Sequence, residues 1–232
     1  MPEIKAILFD FGGTLDNDGA DWFARLHKAI TDRCGPLRRE EFDRYALQAA
    51  DTIGFLYDTS SLSMGETALR LCRQIQKLMD YESLGSAAAW DPAEVVEGFM
   101  TQTRWYLQRN RRVLEQLQSN YRLGIVSNNW GNTAGWCEQF GIHSYFDTII
   151  DSTVVGRAKP DRMIFQAALD QLRLPAASCA YVGDRYESDI LGAQAAGLMP
   201  IWITNGPVQD GPDGSVEAHR IEKLTELLDL DL

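Results

Sequence analysis

An acidic residue at the end of a short apolar run is the feature that most constrains what this chain can fold into. Residues 6–16 read AILFDFGGTLD, so four apolar residues lead to Asp10, and Gly12 and Gly13 follow almost at once. The pattern predicts a buried β-strand that ends in a tight turn. Because a buried carboxylate is costly unless it is paired, metal-bound or reactive, Asp10 is the first candidate functional residue.

After this first strand, most of the chain alternates between predicted strands and predicted helices. Such alternation is typical of parallel βαβ units, and it predicts an α/β fold with a doubly wound parallel sheet. In such a sheet, ligands bind at the carboxyl ends of the strands. The predicted strands lie at 122–127, 148–152, 179–183 and 199–204, and the predicted helices at 106–119, 133–140, 162–172, 188–196 and 216–228, the last after a turn-rich segment at 206–214.

The segment from residue 18 to residue 103 breaks this alternation. It holds no convincing strand, and its apolar residues recur at helical spacing, as Leu71, Ile75 and Leu78 do. We therefore expect an all-helical insertion. In this interpretation, residues 1–17 and 104–232 form the core that contains the sheet, and residues 18–103 form a separate helical domain.

Polar side chains follow two further predicted strands. Ser127 and Asn128 lie at the end of the strand at 122–127, where they either bind an anion or only form a turn. Lys159 comes just before Pro160 and the predicted start of a helix at Asp161. Its ammonium would then point at the mouth of the sheet, although a lone lysine in a loop is more often a solvated surface charge.

Two acidic residues accompany the strand at 179–183. Asp184 follows Gly183 directly, and Asp189 falls in the first turn of the next predicted helix. Two carboxylates that face Asp10 would form an oxygen-rich site of the kind that suits Mg²⁺. For Asp189 the alternative is that an acidic side chain simply interacts favourably with the helix N-terminus.

Taken in order, these four clusters resemble the four motifs of the haloacid dehalogenase-like (HAD) superfamily, over residues 4–16 and about 104–204. The resemblance implies a Rossmann-like core with an inserted C1-type helical cap, and a Mg²⁺ cofactor. It implies a phosphatase that acts on a small phosphorylated metabolite through an aspartyl-phosphate intermediate. The implied roles are catalysis by Asp10, Ser127 and Lys159, phosphate binding by Thr14, Ser127, Asn128 and Lys159, and metal binding by Asp10, Gly12, Asp184 and Asp189.

The chain departs from the family pattern at Gly12, where family phosphatases carry a second aspartate. That aspartate protonates the leaving alcohol and then activates water, and such acid–base assistance typically contributes about 10²–10⁴-fold. Three interpretations stay open: a phosphatase that obtains the proton elsewhere, a hydrolase of carbon–phosphorus or carbon–halogen bonds, and a catalytically silent binding or regulatory protein. Asp184 and Asp189 favour a Mg²⁺-dependent phosphoryl reaction, because dehalogenation needs no metal.

Four other residues bear on these alternatives. Asp16 and Asp18 either replace the missing acid or serve as hinge or helix-start residues. Cleavage of a phosphonate by the family route would need a cap lysine to form an imine. Lys28 and Lys77 lie on charge-rich helical patterns, so a solvated helix face is the simpler explanation for both.

The charge balance excludes some classes of partner. The 232 residues include 22 basic and 33 acidic side chains, and the net charge of −11 argues against binding to nucleic acid or to anionic membranes. No signal peptide is predicted, no apolar run is long enough to span a bilayer, and the four cysteines lack metal-ligand spacing. We expect a cytoplasmic protein with reduced thiols, and the sequence leaves its oligomeric state open.

Overall fold

The structure, a computed structural model, describes residues 3–81, 90–205 and 218–232. The chain divides into two units, which we call the core unit (Met1–Asp21 with Arg104–Leu232) and the helical unit (Trp22–Thr103). No helix among the described residues is both long enough and apolar enough to cross a lipid bilayer.

The core unit is built on a six-stranded sheet in which every pair of neighbouring strands is parallel. The strand order is β3-β2-β1-β4-β5-β6, so the chain first extends the sheet on one side of β1 and then crosses to the other side. This reversal places a crevice at the carboxyl ends of β1 and β4. The strands are β1 (Ala6–Phe9), β2 (Arg122–Ser127), β3 (Thr148–Asp151), β4 (Cys179–Gly183), β5 (Met199–Ile203) and β6 (His219–Ile221).

Four helices belong wholly or partly to the helical unit, and no strand occurs among its described residues, 22–81 and 90–103. The expectation of an all-helical insertion is confirmed for these residues. The helix predicted at 106–119 is the second half of a longer helix that begins in the helical unit and ends in the core unit. The four helices are α1 (Trp22–Cys34), α2 (Arg39–Leu56), α3 (Met64–Tyr81) and α4 (Pro92–Leu117).

Helices of the core unit pack against the sheet through narrow apolar faces. In α7, Ile164, Phe165, Ala168 and Leu169 are buried, at the spacing that keeps side chains on one side of a helix. They join Tyr181 and residues of β1 and β2 in one apolar cluster. The helices are α5 (Thr133–Gln139), α6 (Ser152–Val155), α7 (Arg162–Leu172) and α8 (Gly192–Ala195).

The end of the chain differs from the sequence-based expectation. The helix predicted at 216–228 is wrong, because His219–Ile221 forms the edge strand β6 and only Leu224–Asp229 is helical, as a 3₁₀ segment. A three-residue strand with exposed His219 and Arg220 is too short for strand alternation to show in the sequence. Residues 216–217 and the turn-rich segment at 206–214 lie outside the described residues.

The helix predicted at 188–196 begins earlier than expected. The chain winds into a wide π-type turn over Tyr186–Leu191 and continues as α8. Asp189 therefore lies in the middle of this wide turn, where it is fully buried.

A glycine in the middle of the sheet provides a test of the packing. A methyl group on Gly124 in β2 would lie 2.5 Å from Cγ2 of Thr148 and 2.6 Å from Cδ2 of Leu8. Because both neighbours are held in adjacent strands, we expect Gly124→Ala to lower the free energy of unfolding by about 1–3 kcal/mol.

The matched control is Gly98→Ala. Gly98 is exposed within α4, and a methyl group there would meet no atom within 4 Å. We expect it to raise the free energy of unfolding by up to about 1 kcal/mol through helix propensity. Urea unfolding of both variants measures the difference, and a Gly124→Ala protein as stable as the parent would contradict the packing argument.

Candidate active site

The loop that follows β1 brings Asp10 to the crevice at the carboxyl end of the sheet. The Asp10 amide donates to the carbonyl of Val182 over 2.8 Å, which continues the pairing of β1 with β4 for one residue. Phe11–Leu15 then forms a single wide turn. Asp16 closes this turn, because its Oδ1 accepts a hydrogen bond of 2.7 Å from the Gly13 amide.

The two glycines of this turn differ in what they require. Gly13 has φ of 86°, and a Cβ there would collide with the carboxylate of Asp184. Gly12 has φ of −78° and ψ of 120°, which any residue adopts. The backbone therefore needs glycine at position 13, whereas the φ and ψ angles at position 12 are compatible with any residue.

Lys159 lies at the centre of the candidate site. Its Nζ is 2.8 Å from Oδ1 of Asp10 and 2.7 Å from Oδ1 of Asp189, and it donates to the Tyr181 hydroxyl over 2.8 Å. Only 2% of the Lys159 side chain is exposed, so the solvated-charge interpretation of this lysine is wrong. Burial alone would lower the pKa of Lys159, but the charges of Asp10 and Asp189 outweigh it and hold the pKa above its ordinary value.

A third carboxylate, that of Asp184, completes an acidic group with Asp10 and Asp189. Each of the three offers an oxygen atom within 4.8 Å of the others. Burial, followed by repulsion from Asp189 and Asp10, raises the pKa of Asp184 well above its ordinary value. Burial likewise raises the pKa of Asp10, against the opposing effect of Lys159.

This arrangement fits a hard divalent cation. Three carboxylates face one ammonium, so two negative charges remain uncompensated when all are ionised. Oδ1 of Asp184 is buried without a hydrogen-bond partner among the described residues, and so is Oγ1 of Thr14. An oxygen-only ligand set with an unpartnered carboxylate oxygen matches the coordination that Mg²⁺ prefers.

Asp189 is the most engaged of the three carboxylates. Its Oδ1 contacts Lys159 and its Oδ2 accepts a hydrogen bond of 2.9 Å from the Arg185 amide. Gly183 allows this close approach, since a Cβ at that position would collide with the Asp189 side chain. Asp189 is thus fixed to the end of β4 by its contacts as well as by its place in the chain.

The segments after β2 and β3 are tied to each other and to Lys159. Ser127 is buried at the end of β2. The Asn128 side chain accepts a hydrogen bond of 2.7 Å from the Lys159 amide and donates one of 3.0 Å to the Lys159 carbonyl. Asp151 orders the loop beyond Asn128, because its carboxylate accepts hydrogen bonds from the amides of Gly131, Thr133 and Thr153 and from the Thr133 hydroxyl.

Asp18 holds the segment that leads out of the core unit. Both of its oxygens accept hydrogen bonds of 2.6 Å from Arg109, and Oδ1 also accepts one of 3.1 Å from the Leu224 amide. Next to it, Asn110 donates to the Leu15 carbonyl over 2.8 Å. These contacts favour an anchoring role for Asp18 over that of a replacement acid.

The cap lysines are exposed, as the solvated-face interpretation predicts. Lys28 pairs with Asp32 one turn along α1 at 2.9 Å, with 77% of its side chain exposed. Lys77 is exposed on α3.

Sequence reasoning missed Tyr181, Asp151 and Arg109. For Tyr181 a signal was available: side chains two apart on a strand share a face, so Tyr181 lies on the same side of β4 as Gly183, against which Asp189 packs. For Asp151 and Arg109 the partners come from other elements, and no local pattern indicated them.

Comparison with known families decides which kind of protein this geometry belongs to. A model of the family described as haloacid dehalogenase-like hydrolase matches residues 4–197. The protein belongs to the haloacid dehalogenase-like hydrolases. The resemblance and the Rossmann-like parallel sheet with a helical insertion are thereby confirmed, and the C1 subtype of the cap stays a prediction.

Individual HAD relatives match only part of the chain, at modest sequence identity. The chain is 36% identical over 117 residues to the pyrimidine 5'-nucleotidase YjjG of Escherichia coli. The aligned segment covers 50% of this chain and 52% of that protein. The chain is 29% identical over 151 residues to the glyceraldehyde 3-phosphate phosphatase of Methanocaldococcus jannaschii, which covers 61% and 65%. The matches therefore span about half to two thirds of these curated relatives.

A solved HAD structure shows the same fold over nearly the whole chain. YfnB from Bacillus subtilis, named an HAD-hydrolase and bound to magnesium, aligns with a TM-score of 0.58 at 21% identity and covers 99% of this chain and 100% of that one.

Proposed function

We propose that this HAD hydrolase is a Mg²⁺-dependent phosphatase that cleaves a small phosphorylated metabolite, with Asp10 as the nucleophile. The observation that carries the proposal is the buried group of Asp10, Lys159 and Asp189, beside which one Asp184 oxygen has no hydrogen-bond partner among the residues described. The names of the relatives, a nucleotidase and a sugar-phosphate phosphatase, support phosphate esters as the substrate class.

In this mechanism a carboxylate oxygen of Asp10 attacks phosphorus, and the alcohol departs with a proton. Water then cleaves the aspartyl-phosphate, which releases inorganic phosphate and regenerates Asp10. Lys159 offsets the negative charge of the phosphoryl oxygens and of Asp10, so that the two anions can approach each other. Catalysis therefore rests mainly on positioning and charge stabilisation.

Thr14 and Ser127 complete the phosphate site in this proposal. Thr14 lies in the turn after Asp10 with a buried hydroxyl that finds no hydrogen-bond partner in the described part of the chain, and Ser127 is buried at the end of the adjacent strand. The sequence also predicts Asn128 as a phosphate ligand. That role stays a prediction, and the Asn128 side chain makes two hydrogen bonds to the Lys159 backbone, which favours a different role.

The metal ligands in the proposal are Asp10, Asp184, Asp189 and the carbonyl of Gly12. Asp184 is the strongest candidate, because one of its oxygens has no hydrogen-bond partner within residues 3–81, 90–205 and 218–232, while both oxygens of Asp189 are engaged. A bound Mg²⁺ would supply Lewis-acid stabilisation of the phosphoryl oxygens. The magnesium bound in the YfnB structure supports the choice of metal.

The leaving group must take its proton from somewhere other than position 12. Asp16 and Asp18, which the sequence suggested as replacements, are both engaged in holding the loop and the exit segment. We infer that the enzyme favours substrates whose leaving group needs little protonation, or substrates that supply the proton themselves.

We expect Asp10→Asn to abolish hydrolysis and to leave the fold intact, because an amide has nearly the shape of a carboxylate but is not a competent nucleophile. A panel of phosphorylated metabolites, assayed with Mg²⁺, measures the loss. The matched control is Asp170→Asn on the exposed face of α7, which should retain full activity. Residual turnover of more than a few per cent of the parent value, in protein free of other phosphatases, would contradict the nucleophile assignment.

We expect Asp184→Ala to remove Mg²⁺ binding. Calorimetric titration of Mg²⁺ into the parent protein and into this variant tests the site without reference to turnover. Since Lewis-acid stabilisation is worth several kcal/mol, activity should also fall by about 10²-fold or more. Unchanged hydrolysis by the parent in excess chelator would instead favour the metal-free dehalogenase alternative.

We expect Gly12→Asp to increase hydrolysis of alkyl phosphates by about tenfold or more, and that of nitrophenyl phosphate by much less. An alkoxide needs a proton in the transition state, whereas a nitrophenolate leaves with little help. The φ of −78° at this position lets the aspartate fit without backbone strain.

The matched control is Gly12→Asn, which has the same size but no acidic proton. If folded Gly12→Asp shows no gain over Gly12→Asn on alkyl phosphates, the missing acid does not limit the reaction. Carbon–phosphorus cleavage or a silent binding site would then become the better interpretation.

A further inference from the structure

We propose that Asn128 and Tyr181 are positioning residues that hold Lys159 at its two ends, so that its ammonium is fixed in place before phosphate binds. The inference rests on the proposed role of Lys159 in binding the phosphoryl group. It assigns to Asn128 a task other than direct contact with phosphate, and it gives Tyr181 a task that the sequence analysis did not assign.

Asn128 holds the main chain of Lys159. Its side-chain oxygen accepts from the Lys159 amide at 2.7 Å, and its side-chain nitrogen donates to the Lys159 carbonyl at 3.0 Å. Two hydrogen bonds to the same residue fix both the position and the orientation of its backbone. Asn128 itself is exposed at the end of β2, so it does not lie there to fill the core.

Tyr181 holds the other end of the same side chain. Its hydroxyl donates to the Val126 carbonyl over 2.8 Å and accepts from Nζ of Lys159 over 2.8 Å. Because the hydroxyl proton is used by Val126, a lone pair of the oxygen faces the ammonium. The ring is fixed by an edge contact with Phe165, with centroids 5.1 Å apart at 82°.

Both sets of contacts come from the strands that flank β1. Asn128 follows directly after β2, which carries the Val126 carbonyl, and Tyr181 belongs to β4. The ammonium donates to Asp189 and Tyr181 and lies in ion-pair contact with Asp10, so it is placed relative to the strand that leads to the nucleophile.

Pre-organisation is the physical benefit. A free lysine side chain has four rotatable bonds, and ordering them when phosphate binds would weaken the affinity. When the backbone and the ammonium of Lys159 are already ordered in the free protein, this conformational entropy is lost during folding and not when phosphate binds. Loss of the contacts that either Asn128 or Tyr181 makes with Lys159 should weaken phosphate binding through Lys159 and through no other group.

A double-mutant cycle tests this dependence. Asn128→Ala and Tyr181→Phe are each made in the parent protein and in a Lys159→Met background, and the affinity for inorganic phosphate is measured by calorimetry. We expect each single change to weaken phosphate binding by roughly three- to tenfold, since Tyr181→Phe removes one hydrogen bond to the ammonium and Asn128→Ala removes two to the Lys159 backbone. In the Lys159→Met background the same changes should alter it by less than about twofold.

The controls make the same chemical changes at sites outside this contact. Asn129→Ala alters the neighbouring asparagine, whose side chain donates to Thr133, and Tyr145→Phe alters a hydroxyl that accepts from Arg111. Both should leave phosphate affinity unchanged in either background. Thermal unfolding of every variant is measured alongside, and if Tyr181→Phe fails to fold, the exposed Asn128 carries the test.

Each outcome decides between specific claims. Equal losses in the parent and in the Lys159→Met background would show a merely structural role and would overturn the positioning proposal alone. Unchanged phosphate affinity in both single variants would overturn it as well. If Lys159→Met alone leaves phosphate affinity and hydrolysis unchanged, the proposed role of Lys159 fails, and the positioning proposal fails with it.

Discussion

The candidate site depends on a single buried ammonium between two carboxylates. Lys159 lies within 2.8 Å of Asp10 and 2.7 Å of Asp189, in a buried region where a charge without a partner would carry a large cost. Replacing one partner of such a group usually destabilises a protein, whereas replacing all of them by apolar residues often does not. A buried charged group of this kind is therefore weak evidence for a role in stability and better evidence for a role in the reaction.

The backbone is arranged to bring these charges together. Three parallel strands, β2, β1 and β4, end at the same edge, and polar residues follow each of them. Two glycines then permit approaches that no other residue allows, because a Cβ on Gly13 would meet Asp184 and a Cβ on Gly183 would meet Asp189. The acidic group is thus compact because Gly13 and Gly183 leave space for its carboxylates.

Gly12 differs from these two glycines, and the difference matters for the reaction. Its φ and ψ are those of ordinary extended backbone, so nothing in the backbone conformation demands a glycine there. The backbone conformation is therefore compatible with an aspartate at position 12, so the absence of that acid supports the proposed preference for substrates whose leaving group needs little protonation.

Much of the fold followed from local sequence. The strands at Arg122–Ser127 and Cys179–Gly183 and the helix at Arg162–Leu172 have the bounds that apolar runs and turn residues predicted. The edge strand β6 did not follow, since three residues give no periodicity and their pairing with β5 is a tertiary contact.

Local patterns of apolar and polar residues were enough to predict strands of a parallel sheet with carboxylates and a serine at their ends, and a lysine just before a helix. The three-dimensional structure was needed to show that Lys159 is buried, that Asn128 hydrogen-bonds to its backbone and that Tyr181 meets its ammonium. These contacts join residues 22 to 31 positions apart in the chain. Hydrogen bonds at such separations are set by how the strands stack side by side, and no local pattern records them.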